Sequence, residues 1–294
     1  MIIDRKSFSL ALVLALGVAA GHAARAPAAE SLAAAGRTIL QKNKDAVVTV
    51  KLVVRQSVAM GGRQSNGQEQ KSEVTGTVIS PAGLTVVSLA ATDPSEMIMR
   101  MAGAMGEMDE PSMKFECVLT DVKLVRPDGK ELAAKVVLRD KDLDLAFLLP
   151  SERSAESFAC VDLKAAAVAQ ILDDVVVLNR LGQVAGRVPA VTLGRVSALI
   201  EKPRRYYVLD HDTSALGLGT PVFVAGGRLL GLVLLRSVPP QGGLGMSAMF
   251  SGSSSLGLLP VVVPADQVRE AAEQAPADQP AAKKAATPAG PAAP

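Results

Sequence analysis

Apolar positions in this chain come in short bursts with two different rhythms. From Ala29 to Asn43, Leu32, Ala35, Ile39 and Leu40 recur every three or four residues, which predicts a short N-terminal helix. Beyond it the pattern changes to brief Val- and Leu-rich runs. They lie at Val47–Val54, Val74–Ile79, Thr85–Leu89, Val118–Arg126, Leu132–Leu138 and Leu145–Leu148. A second group follows at Val175–Leu178, Val191–Ile200, Tyr206–Leu209, Val222–Val224, Leu229–Leu235 and Leu258–Val263. Turn formers separate them, among them Ser80-Pro81-Ala82-Gly83, Pro127-Asp128-Gly129 and Ala225-Gly226-Gly227. Strands with no long helices between them predict an all-β sandwich or a pair of barrels, and one two-barrel unit accommodates a chain of this length.

Three stretches break the rhythm. Ala59–Ser72 is polar and rich in Gly, Gln and Ser, and reads as a mobile surface loop. Residues 95–115 carry six of the ten methionines: Met97, Met99, Met101, Met105, Met108 and Met113. Residues 276–294 are largely Ala and Pro, too poor in large apolar side chains to fold, and read as a disordered tail.

Composition narrows the function classes. The net charge of +2 gives no field for nucleic acid or an acidic membrane surface. Apolar residues are 49% of the chain but aromatics only 3%, so the core is aliphatic. Arg5 and Lys6, the apolar run Ser7–Ala20 and the small residues Gly21 to Ala24 have the order of a secretory signal peptide, which places the protein in the periplasm or outside the cell. Cleavage is expected near Ala23–Ala24 or at Ala26-Pro27-Ala28, with an uncleaved anchor as the alternative. The domain boundaries expected are then 1–24 for the signal, 25–275 for the folded domain and 276–294 for the tail. Cys117 and Cys160 permit one disulfide or two free thiols. No cofactor is implied.

Several segments, in order, resemble the protease domain of the HtrA (Deg) family of exported trypsin-like serine proteases. Thr75-Gly76-Thr77-Val78-Ile79 is similar to the strand and turn before the family's catalytic histidine. Asp144-Leu145-Ala146-Phe147-Leu148 is similar to its D-L-A-x-L, and Leu193-Gly194-Arg195-Val196-Ser197-Ala198 to its G-I-V-S-A strand. Pro264-Ala265-Asp266-Gln267-Val268 is similar to the C-terminal strand-to-helix closure. The resemblance implies two six-stranded antiparallel barrels, near 46–150 and 175–263, with short terminal helices and a cleft between the barrels.

The departures fall on the chemistry. Trypsin-type hydrolysis needs a serine nucleophile, a histidine base and an aspartate that holds the imidazole. Counting from Gly83 places Ala90 at the histidine position, while Asp144 stands at the aspartate. Leu216-Gly217-Leu218-Gly219-Thr220-Pro221 replaces G-N-S-G-G-P, with Leu218 at the nucleophile position. Leu216, Gly217 and Gly219 form the former oxyanion loop, and Leu216 disfavours any positive-φ conformation there. After signal removal His211 is the one histidine left, flanked by Asp210 and Asp212. It lies too near Ser214 and Thr220 in sequence to serve either as a base held by a carboxylate. The resulting expectation is a catalytically inactive homologue that binds a protein or peptide partner, without a PDZ module. Two alternatives remain: a serine endopeptidase with a non-standard site, and a periplasmic copper protein. Methionine thioethers suit Cu(I), but they equally suit an adaptive apolar docking surface. No resident metal is assigned.

Overall fold

The computed structural model describes residues 27–60, 63–64, 67–95, 97–98, 114–152, 156–210, 217–237 and 258–275. The first helix, α1, spans Pro27–Asn43, two residues longer at its start than the periodicity predicts. Proline at a first helical position costs nothing, because its missing N–H has no partner there. A turn at Lys44–Ala46 leads into β1 (Val47–Met60), β2 (Arg63–Gln64), β3 (Gln68–Val78) and β4 (Thr85–Ser88). One helical turn, α2 (Leu89–Thr92), follows, and then β5 (Lys114–Val125), β6 (Glu131–Asp140) and β7 (Leu145–Pro150).

These strands order as β2-β1-β3-β4-β7-β6-β5, and pairing of β1 with β5 closes a six-stranded barrel with β2 as an extra edge piece. A second closed barrel has the order β10-β13-β12-β11-β8-β9. Its strands are β8 (Asp174–Arg180), β9 (Pro189–Ile200), β10 (Tyr206–Leu209), β11 (Pro221–Val224), β12 (Leu229–Ser237) and β13 (Leu258–Pro264). Helix α3 (Ala265–Ala272) closes the described chain. The expected double barrel is therefore present; the first barrel falls within its expected limits and the second passes them by one residue at each end.

The apolar runs are continuous because strands at the barrel–barrel contact are buried on both faces. Alternate side chains of a strand point to opposite sides. On β8, Val175 and Val177 fill the second barrel with Tyr207 and Val262. Val176 and Leu178 face the other way, into a shared core with Leu145 and Phe147 of β7. On β7, Ala146 and Leu148 turn inward to the first barrel with Val50, Leu52 and Leu124. Each fully buried Val, Leu or Phe contributes roughly 1.5–3 kcal/mol, so a two-faced strand does double service.

One expectation is overturned. Ala59–Ser72 is not simply a mobile loop, because β1 and β3 continue as a long hairpin around it. The pairing of β1 with β3 runs from Val47↔Thr77 to Gln56↔Gln68, and that with β5 reaches Ala59↔Lys114. The ladder is held out here by polar cross-strand pairs, Arg55 Nη2 to Glu69 Oε1 at 2.8 Å and Gln56 Nε2 to Gln70 Oε1 at 2.8 Å. With neither face in a core, no apolar alternation marks the strands. Cys117 and Cys160 are both free. Among the described residues no helix is long and apolar enough to cross a membrane.

Candidate functional site

Asp144 sits at the end of the turn between β6 and β7. The turn is set by Asp140, whose Oδ1 accepts the N–H groups of Asp142 at 2.9 Å and Leu143 at 3.1 Å. Asp144 itself adopts φ 57°, a left-handed conformation uncommon outside glycine. Its carbonyl accepts the Leu89 N–H at 2.8 Å. Among the described residues its carboxylate gathers three donors. Oδ2 accepts the Ser88 hydroxyl at 2.5 Å and the Leu235 N–H at 2.9 Å, and Oδ1 accepts the Ala90 N–H at 2.8 Å. Leu235 belongs to β12, so this carboxylate ties the second barrel to β4 and α2 of the first. The sequence marked Asp144 and Ala90 but not Ser88, a hydroxyl two residues before Ala90 and 1% exposed.

Leu218 lies across the cleft in the loop before β11, half-buried against the core of the second barrel. The glycines beside it have positive φ, 83° at Gly217 and 88° at Gly219. Gly219 is required by contact as well as by φ. A Cβ there would stand 2.4 Å from the Thr75 carbonyl oxygen of β3. The loop is anchored by the Gly219 N–H to the Val233 carbonyl at 2.7 Å and by the Thr77 hydroxyl to the Gly219 carbonyl at 2.7 Å. Thr220 is fully buried and donates its hydroxyl to the Gly217 carbonyl at 2.9 Å, so it is in no position to attack a substrate. Leu216, His211, Ser214, Met99, Met101, Met105, Met108 and Met113 lie outside the described residues. Met97 is half-buried in a helical turn after Asp93, where the Ile98 N–H reaches the Pro94 carbonyl at 2.9 Å.

Between the barrels is a cleft of about 320 Å³, lined by Thr49 and Thr75 of the first barrel, Ala91, Asn179 of β8, and Gly217 and Leu218. Asn179 is the polar group that sequence reasoning missed. Its Oδ1 accepts the Thr75 hydroxyl at 2.9 Å and the Arg180 N–H at 2.7 Å. A backbone N–H only donates, so the amide orientation is set. Both amide atoms border the loop, Nδ2 and Oδ1 each 3.6 Å from where a Cβ on Gly217 would stand. The signal available was a polar Asn-Arg pair ending an apolar strand.

Two arginines brace the cleft. Arg180 donates to the carbonyls of Val47 at 2.8 Å, Arg187 at 2.9 Å and Lys44 at 2.9 Å. Burial holds its pKa below the usual arginine value, with Asp45 opposing. Arg187 grips Glu73 across the barrels with two bonds, Nε to Oε2 at 3.0 Å and Nη2 to Oε1 at 2.5 Å. The hydrogen bond from Arg187 lowers the pKa of Glu73, while partial burial pulls the other way. Burial also raises the Cys160 thiol. Among the described residues no group of three or more His, Cys, Asp and Glu is placed to hold a metal ion.

Two closed antiparallel barrels, with a cleft between a D-L-A strand start and a glycine-bounded loop, define a protein of the trypsin fold. The trypsin-like peptidase domain matches residues 74–232, more than half of the chain, and the chain belongs to that family. Among solved structures it is similar to Deg5, at 17% identity over 81% of this chain and 92% of that one, with a TM-score of 0.48. It is also similar to the Rv3671c protease of M. tuberculosis in its active form, at 19% over 85% and 89%, TM-score 0.49. A third is the MamO protease domain of Magnetospirillum magneticum in its apo form, at 16% over 78% and 96%, TM-score 0.44. No curated protein matches in sequence.

Proposed function

We propose that this chain is a non-hydrolytic member of its family, an exported protein that holds a protein or peptide segment in the inter-barrel cleft. The observation that carries the reading is what surrounds the Asp144 carboxylate. In a trypsin-type site that carboxylate orients an imidazole. Here, among the described residues, it meets a hydroxyl and two backbone N–H groups, and the residue bonded to Oδ1 through its N–H carries only the methyl of Ala90. Across the cleft Leu218 offers no hydroxyl, and Thr220 is turned inward. The cleft walls retain what a bound peptide needs: apolar Leu218 and Ala91, the Nδ2 donors of Asn179, and the hydroxyl of Thr49.

Loss of one triad member costs on the order of 10⁴–10⁶ in rate, and two positions are changed here. Purified protein is expected to give no labelling with a fluorophosphonate probe and no turnover of casein. Labelling that disappears in Thr220→Ala or Ser214→Ala overturns the reading. The combined change Ala90→His and Leu218→Ser is expected to remain inactive, because in sequence Leu216 still replaces the glycine whose N–H would help hold the oxyanion.

A further inference from the structure

At the opposite rim of the second barrel from the cleft, where β9 and β13 end and β10 begins, there is a larger pocket of about 460 Å³. Its apolar wall is the connector at residues 166–168. Its polar lining comprises Glu201, Lys202, Arg205, Tyr207, Asp266 and Gln267. None of these belongs to the catalytic plan of the fold. We propose that this pocket binds a small zwitterion, an amino acid or short peptide with both its ammonium and its carboxylate free.

The first observation is Tyr207. Its ring is in the core of the second barrel and the residue is 1% exposed, yet its hydroxyl makes no hydrogen bond to any described residue. That hydroxyl is not among the buried polar atoms left without a partner, so it keeps accessible surface, and the space this residue borders is the pocket. The second is Gln267. Its Nε2 donates to the Arg205 carbonyl at 3.0 Å, and since a carbonyl only accepts, the amide cannot be turned round. Oε1 is left withdrawn from solvent and without a donor. An acceptor in that state calls for an N–H, best a charged one.

The third observation is the charge pattern. Glu201 and Asp266 supply two negative charges, Lys202 and Arg205 two positive ones, and none forms an ion pair with a described residue. Asp266 accepts only the neighbouring Gln267 N–H, at 3.0 Å. A balanced lining favours neither a simple anion nor a simple cation. It suits a ligand bearing one of each, with its ammonium toward Gln267, Asp266 and Glu201, and its carboxylate toward Arg205 and Lys202. The volume is within the range that encloses small ligands, and the 166–168 wall suits an aliphatic side chain.

The test is calorimetric titration of the full chain with L-leucine and with L-alanyl-L-leucine, each beside its N-acetylated and C-amidated forms. The free zwitterions are expected to bind, and either cap to weaken binding about tenfold or more, since a bond to a charged group is lost. Tyr207→Phe keeps the ring and is expected to weaken binding roughly three- to tenfold, with the thermal unfolding of the ligand-free protein unchanged. Gln267→Leu is expected to weaken it by at least as much. Failure of both zwitterions to bind, equal binding of capped and uncapped forms, or full affinity in Tyr207→Phe overturns the proposal. So does a crystal structure soaked in leucine that shows only an ordered water on Tyr207 and Gln267.

Discussion

If Asp144 now serves as a cross-barrel fastener, removing its carboxylate should cost stability rather than activity. In Asp144→Ala the N–H groups of Ala90 and Leu235 lose their acceptor at 2.8 and 2.9 Å, as does the hydroxyl of Ser88. A hydrogen bond to a charged group contributes about 1.5–3 kcal/mol. Asp144 is only half-buried, so the lower end applies, and Ser88 can turn its hydroxyl to another acceptor. Two backbone donors at about 1.5 kcal/mol each give a loss of about 3 kcal/mol, a large share of the roughly 5–15 kcal/mol of a whole domain. Asp144→Asn separates charge from shape. With its oxygen kept on the Ala90 N–H, its NH₂ would confront the Leu235 N–H, and the loss should approach that of alanine. The measurement is guanidinium unfolding followed by far-UV circular dichroism, with Ser88→Ala and the double variant completing a cycle. A change within 0.5 kcal/mol for both single Asp144 variants, on the order of that for a neutral surface site, would refute the reasoning.

Other outcomes follow from the same geometry. Gly219→Ala should destabilise by roughly 2–4 kcal/mol, since φ of 88° and a backbone oxygen 2.4 Å from the new Cβ leave no room to yield; unfolding that matches the parent would refute the placement of this loop against β3. Glu73 has a folded pKa below its ordinary 4.5, so its pairing with Arg187 adds stability above that pH and loses it as the pH falls further. The stability difference between the parent and Glu73→Gln should therefore be full at neutral pH and shrink below pH 4.5; a difference that grows on acidification contradicts the sign. Replacing Met97, Met99, Met101 and Met105 together with leucine should leave folding and partner binding intact, because leucine keeps the apolar volume and loses only the sulfur lone pair. Stoichiometric Cu(I) uptake by the parent that vanishes in the leucine variant would reverse that reading.

The barrels were legible because their strands are greasy on two sides. Val175 to Leu178 and Leu145 to Leu148 announce themselves as uninterrupted aliphatic runs, since one face fills a barrel and the other fills the seam between barrels. The outer half of the β1–β3 hairpin was invisible for the converse reason: Gln56 is held by Gln70 and Glu69 by Arg55, not by a core. At the site, spacing from Gly83 located Ala90, and Asp144 was found through the D-L-A run. Ser88 and Asn179 were not found, because their roles come from partners far away in sequence. Asn179 is fastened to Thr75, 104 positions earlier. The zwitterion pocket was equally hidden, assembled from the 166–168 connector, the β9–β10 turn and the start of α3.

Helix α1 precedes the first barrel in sequence but rests on the second. A Cβ on Gly36 would lie 3.3 Å from Leu193 and 3.8 Å from Val191, both on β9. Ile39 shares a core with Val176, Leu178 and Phe223. Arg180 then fastens the helix end and the root of β1 across 136 and 133 positions, through the carbonyls of Lys44 and Val47. The opening segment of the chain thus has nowhere to settle until the other half has been made. A ribosome releasing this protein exposes Leu32, Ile39 and Leu40 through the synthesis of well over a hundred further residues. A cut in the linker after Pro150 would yield neither half with its own covering: the front piece would keep a helix with no bed, and the back piece a bed with no helix. The two barrels are separate as closed sheets, but they are one unit of assembly.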